Sequence, residues 1–243
     1  VDDLLVYKLS QNLMNSAEDA FLLVVNASNI EKDWNWIKSH NSFGATMENI
    51  SAETGLLAVQ GPKAIAAIQS LTEVVLDDLK YYTFTQAKFA DQENIIISAT
   101  GYTGAGGVEI YGRNEQIVAI WDQLFEAAQQ ANIDLKPVGL GARDTLRLEK
   151  GYCLYGNDLD DTTTPIEAGL GWITKTKKGD FVGREVLVKQ RKEGVTRKLV
   201  AFLVDDRRVC RHDYLIENQE ETPIGKVTSG TLSPCLGKPI GLG

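Results

Sequence analysis

The sequence predicts an α+β protein of more than one domain, and three observations carry that expectation. Between about 55 and 131 the pattern runs strand, helix, strand, strand, strand, helix, closing on a long amphipathic helix over 114–131. Short apolar runs before and after it are bounded by Asn, Gly and Pro, as strands and turns are. After a charged, Gly-punctuated stretch at 175–180, the chain turns to the short strands and tight turns of a small β-barrel or sandwich.

In order, residues 4–9 and 20–25 read as strands joined by a polar loop from Ser10 to Asp19, the second apolar enough to be buried on both faces. Asn29 is placed to cap a helix that carries Trp34, Trp36 and Ile37, and 46–50 reads as a third strand. Leu56 to Val59 is a short strand, followed by a turn and a helix over 62–71 with Pro62 at its first position. Residues 81–89, 94–99 and 108–111 read as strands. The helix over 114–131 lines up Ile117, Ile120, Trp121, Leu124 and Ala128 on one face. This order suggests a split β-α-β arrangement. Pro137-Val138-Gly139 is a linker, 140–150 a helix, 157–165 a solvated acidic loop and 171–174 a strand. A helix over 183–191 and strands at 198–204 and 224–229 complete the expected elements. The domains are accordingly expected at 1–54 with 138–178, at 55–137, and at 179–243.

A net charge of -8 and a pI near 4.9 argue against nucleic-acid binding as the main activity. No apolar run reaches the roughly 20 residues that a membrane helix needs. Cys153, Cys210 and Cys235 are too sparse for a disulfide framework or a zinc cluster, and they fit a reducing, cytoplasmic compartment. His40 and His212 lack metal-ligand companions at useful spacing and read as surface residues.

The chemistry gathers between 101 and 172. Four glycines in the seven residues Gly101 to Gly107 mark backbone that turns at positive φ or lies close to another group. Glu109, between Val108 and Ile110, should point to the opposite sheet face from both. A carboxylate there needs partners. A ligand's paired N–H groups and an internal ion pair with Arg143 or Arg147 are equally suitable. Arg143 offers a rigid five-donor fork, although pairing with Asp144 or Glu149 would satisfy it on a helix surface. Cys153 lies in apolar surroundings and reads as packing. The acidic run Asp158 to Asp161 reads as loop.

Asp2-Asp3-Leu4-Leu5-Val6, Val25-Asn26-Ala27-Ser28-Asn29, Gly101-Tyr102-Thr103-Gly104, Gly139-Leu140-Gly141-Ala142-Arg143-Asp144, Leu154-Tyr155-Gly156-Asn157-Asp158 and Thr228-Ser229-Gly230-Thr231-Leu232-Ser233-Pro234 occur in this order. Together they resemble the glycine cleavage system T protein family of aminomethyltransferases, and the match is to an internal stretch of that family. The resemblance implies a three-domain cloverleaf: a folate-binding α/β domain, a ferredoxin-like domain and the start of a C-terminal β-barrel-like domain. It implies transfer of a methylene carbon from the aminomethyl-lipoyl arm of a carrier, the lipoylated H protein, to tetrahydrofolate, with release of ammonia. It assigns Asp3 as the catalytic carboxylate and Glu109 to the pterin. Arg143 goes to the folate anchor, and Asn26, Tyr81, Tyr102 and Trp172 to the walls of the folate site. Asp3 and Glu109 would then face a water-poor hollow. Related demethylases of small methylated compounds are one alternative. Folate-binding accessory proteins of iron–sulfur and tRNA maintenance are another, but their Lys-Gly-Cys-Tyr signature is replaced here by Lys150-Gly151-Tyr152-Cys153.

Overall fold

A computed structural model describes residues 2–9 and 19–243. Residues 10–18, most of the loop expected from Ser10 to Asp19, lie outside the described residues. The chain divides into two compact units, Leu4–Val138 and Val1–Asp3 with Gly139–Gly243.

In the unit Leu4–Val138, β1 (Leu5–Leu9) and β2 (Ala20–Val24) form an antiparallel pair with Leu5 opposite Val24. The expectation that β2 is buried on both faces is corrected: Phe21 is 54% and Leu23 40% exposed. A two-stranded pair covers one face and leaves alternate side chains outward. After a 3-10 turn, α1 (Ile30–His40) carries the expected tryptophans, and Asn29 stands at its N-cap without a side-chain capping bond. The strand expected at 46–50 is absent, and the segment is irregular. Asn41 explains the start of this stretch: its side chain donates to the Ala45 carbonyl at 2.7 Å and accepts from the Ala45 N–H at 2.9 Å, closing a local turn.

The body of this unit is a sheet of β3 (Thr54–Gln60), β4 (Phe84–Phe89), β5 (Gln92–Ser98) and β6 (Gly107–Arg113), ordered β3-β6-β5-β4 with every neighbouring pair antiparallel. The short α2 (Ala64–Ile68) and the long α3 (Asn114–Gln130) pack on one face. There Val59, Ile95, Ile97, Val108 and Ile110 meet Ile68, Ile120 and Leu124 in a closed apolar core. Because neighbours alternate in direction, β3 and β4 are antiparallel, and the α2 segment joins the two edge strands. A split β-α-β unit would have joined parallel strands. Two boundaries also move. Pro62 lies in the turn before α2, and Tyr81 and Tyr82 form a turn before β4, Tyr82 at φ 63°. Both tyrosines are 60% exposed.

The unit Val1–Asp3 with Gly139–Gly243 contains α4 (Leu140–Glu149), α5 (Arg184–Glu193), β7 (Ala201–Leu203), β8 (Leu215–Glu217), β9 (Pro223–Lys226), β10 (Ser229–Leu232) and β11 (Pro239–Leu242). β10-β11-β7 form one antiparallel sheet and β8-β9 a second pair. The strand expected at 171–174 is a 3-10 turn, Leu170–Trp172, entered from Gly169 at φ 76°. The strand expected at 198–204 shortens to β7. The one expected at 224–229 is two strands, β9 and β10, broken at Val227 and Thr228. Among the described residues no helix is long and apolar enough to cross a membrane.

Candidate functional site

Within Leu4–Val138, the sheet face turned away from α2 and α3 is polar at its centre. Pairing sets Ser98 and Ala58 beside Glu109, and Ile96 and Leu56 beside Tyr111, so Glu109, Tyr111 and Ser98 share that face. Glu109 thus points away from Val108 and Ile110, as the alternation required. Its Oε2 accepts from Thr100 Oγ1 at 2.5 Å and from the Tyr111 hydroxyl at 3.0 Å. Behind these donors Tyr7, from β1, reaches Tyr111 at 3.2 Å, Ser98 at 3.0 Å and Thr100 at 3.4 Å. The Tyr7 ring meets Phe84 edge-on at 5.0 Å and is buried. Burial, followed by the Glu109 charge and the bond from Tyr7, pushes the Tyr111 phenol far above its ordinary range, so it stays a donor.

The glycine-rich loop beside this cluster is built for close approach and is pinned from β3. Gly107 sits at φ 118°, and a Cβ there would collide with the Val59 carbonyl. The Gln60 side chain donates to the carbonyls of Thr100 at 3.2 Å and Val108 at 3.1 Å, and accepts from Thr103 Oγ1 at 3.1 Å. Tyr102, half-buried, lies in this loop. Asn26 precedes the 3-10 turn before α1, and its carbonyl accepts from the Asn29 N–H.

In the other unit, Asp3 and Arg143 are exposed and Trp172 is 70% exposed. A water-poor setting is therefore not what surrounds Asp3 in the described chain. Asp3 does lie close enough to Cys153 for its charge to act there. Burial first, then Asp158 and Asp3, push the Cys153 thiol up to about 11, which leaves it an inert packing residue.

The acidic run corrects its expectation most clearly. Asp158 is fully buried, accepts from Arg147 Nη1 at 2.6 Å and from the Leu154 N–H at 2.8 Å, and is bonded by Thr228 and Ser229. Arg147, also fully buried, adds bonds to Asp144, the Tyr152 carbonyl and Ser229. Asp160 and Asp161 behave as loop residues, bonded to Thr162, Thr163 and Tyr155. Asp144 bonds Arg147, Glu149 accepts from Ser233, and Glu109 is held by the hydroxyls of Thr100 and Tyr111. His40 stacks on Trp36 and His212 bonds the Thr228 carbonyl, both exposed. Among the described residues no group of His, Cys, Asp and Glu could hold a metal ion. Sequence reasoning missed Ser98, Thr100, Tyr111 and Gln60 as supports of the site. Their one signal was polar residues at sheet positions that alternate with a buried isoleucine run.

Comparison with known proteins bears on the whole chain. Residues 1–178 match the GCVT N-terminal domain family, and residues 197–243 match the glycine cleavage T-protein C-terminal barrel domain. The aminomethyltransferase of Bacteroides thetaiotaomicron is 58% identical over 244 residues, and that of Flavobacterium psychrophilum 56% over 243. Each alignment covers all of this chain and 65% of the relative, so the chain spans 65% of the length of these proteins. The crystal structure of glycine cleavage system aminomethyltransferase T from Bartonella henselae superposes with a TM-score of 0.85 at 31% identity, over 100% of this chain and 63% of that one.

Proposed function

Because the chain belongs to the glycine cleavage T-protein family, we propose that it acts in the family's aminomethyl transfer to tetrahydrofolate. The donor is the aminomethyl group on the lipoyl arm of a carrier, the H protein. Two N–C bonds form, at folate N5 and N10, while the carbon's bonds to nitrogen and sulfur break. The two protons lost by folate end on ammonia and on the released thiol, and the product is 5,10-methylenetetrahydrofolate.

The single observation that carries this reading is the state of Glu109. Its carboxylate is fixed by two neutral hydroxyls, so it is oriented while its negative charge stays unneutralised by those partners. Such a group is suited to accept the ring N–H and exocyclic NH₂ of a pterin side by side. Asp3 is assigned the proton of the reacting folate nitrogen and the stabilisation of positive charge developing there. Its exposure in the described chain leaves it accessible to a reactant. Arg143 is assigned to the glutamyl tail, and Asn26, Tyr81, Tyr102 and Trp172 to the aromatic parts of folate. The cloverleaf is assigned as 1–54 with 138–178, 55–137 and 179–243, the second domain being the one built on the antiparallel β3-β6-β5-β4 sheet, and the protein is placed in the cytoplasm.

The experiment is a coupled assay with lipoylated carrier on the protein that carries this chain, reading ammonia and methylenetetrahydrofolate together. Asp3→Asn should lower turnover by about 10²–10⁴-fold while folate still binds. Turnover retained in that variant would remove Asp3 from the mechanism, and a parent protein that neither binds tetrahydrofolate nor releases ammonia would overturn the function.

A further inference from the structure

Tyr7 has no role in the reaction assigned above, yet it is the residue through which β1 reaches the Glu109 cluster. Four hydroxyls surround that carboxylate, and each carries one proton. Thr100 and Tyr111 direct theirs to Glu109 Oε2. Along the contact of 3.2 Å between Tyr7 and Tyr111, Tyr7 must therefore be the donor. Ser98 lies 2.9 Å from Thr100 and 3.0 Å from Tyr7 and closes the cluster behind the two donors. The Tyr7 proton thus runs to Tyr111, and the Tyr111 proton to the carboxylate. Chains of this kind polarise along their length, and each upstream donor strengthens the one that touches the charge.

We propose that Tyr7 is a positioning residue for Glu109: acting through Tyr111 and Thr100, it locks the carboxylate in one orientation as an acceptor for the paired N–H donors of a flat heterocycle. This rests on the assignment of Glu109 to the pterin edge. The titratable groups facing Glu109 in the cluster are Tyr7 from β1 and Tyr111 from β6. Ser98 at the end of β5 and Thr100 just beyond it add neutral hydroxyls, and β3 places Ala58 beside it. Both hydroxyls that touch the carboxylate converge on Oε2, and neither touches Oε1.

The test uses Tyr7→Phe, which keeps the ring against Phe84 and removes only the oxygen. On the protein that carries this chain, tetrahydrofolate affinity by titration calorimetry should fall about fivefold to tenfold. The KM for the aminomethylated carrier and kcat should stay at the parent values, a split that a general loss of folding would not produce. The decisive arm is the double variant. If Tyr7 acts through Glu109, then Tyr7→Phe in a Glu109→Gln background should cost no further affinity. An equal loss in both backgrounds, or no loss in Tyr7→Phe alone, overturns the proposal. Unchanged affinity in Glu109→Gln alone is a different failure, of the pterin assignment itself.

Discussion

The two units each hold a carboxylate in a polar cluster, and the clusters are built on opposite principles. Asp158 is fully buried and faces a fully buried guanidinium, with further bonds from a backbone N–H and two hydroxyls. Its charge is consumed inside the protein. Glu109 is only half-buried and is gripped by Thr100 and Tyr111, which orient it without neutralising it. A buried carboxylate matched to a cation organises structure. One matched only to neutral donors remains an open electrostatic site, and that is the form a ligand with N–H groups can use. Of the two readings that the sequence left level for Glu109, hydroxyls stand where the internal ion pair would have been.

The contrast is broken most directly by stability. Arg147→Met should lower the unfolding free energy by about 3–5 kcal/mol, because it strands Asp158 without its cation in the interior. The bonds that α4 sends through Arg147 to Ser229 of β10 would go with it. Denaturant unfolding measures this. A loss under about 1 kcal/mol would mean that the Asp158 charge is compensated some other way, and the two clusters would then differ less than their geometry implies.

Glu109→Gln should do the reverse. Stability should change by less than about 1 kcal/mol, since a Gln can still accept from Thr100 or Tyr111. Tetrahydrofolate affinity should fall by roughly 10–100-fold, the worth of hydrogen bonds to a charged acceptor. A large stability loss with unchanged affinity would place Glu109 among the structural carboxylates.

How much of this was legible in the sequence differs between the same two places. Strand alternation was enough to put Glu109 on the face away from Val108 and Ile110, because that inference needs only the two-residue period. Its partners were not legible. Tyr7 lies 104 positions from Tyr111, and only the tertiary packing of β1 within its unit brings the two hydroxyls together. The Asp158 segment was misjudged for a related reason. Acidic residues before a Thr-rich stretch look like a solvated loop, and nothing local announces that Arg147 of α4 and Ser229 of β10 close over one of them. The strands misplaced at 46–50 and 171–174 had apolar content but no partner to pair with, and pairing is what makes a strand.

The smallest expected effect is a reporter of the Arg147–Asp158 cluster. Cys153 packs with Leu159 and Ala168 beside that cluster, and its thiol is pushed up to about 11 by burial, Asp158 and Asp3. At pH 8 only about one molecule in a thousand would hold it as the reactive thiolate, even before access is considered. Cys235 is exposed, so iodoacetamide followed by mass spectrometry should label Cys235 first and Cys153 only when the unit opens. Arg147→Met should therefore accelerate Cys153 labelling in step with the stability it loses, whereas Glu109→Gln, which acts in the other unit, should leave that rate where it was. Equal acceleration by both would show that the two clusters are energetically linked, and the division of labour between them would no longer hold.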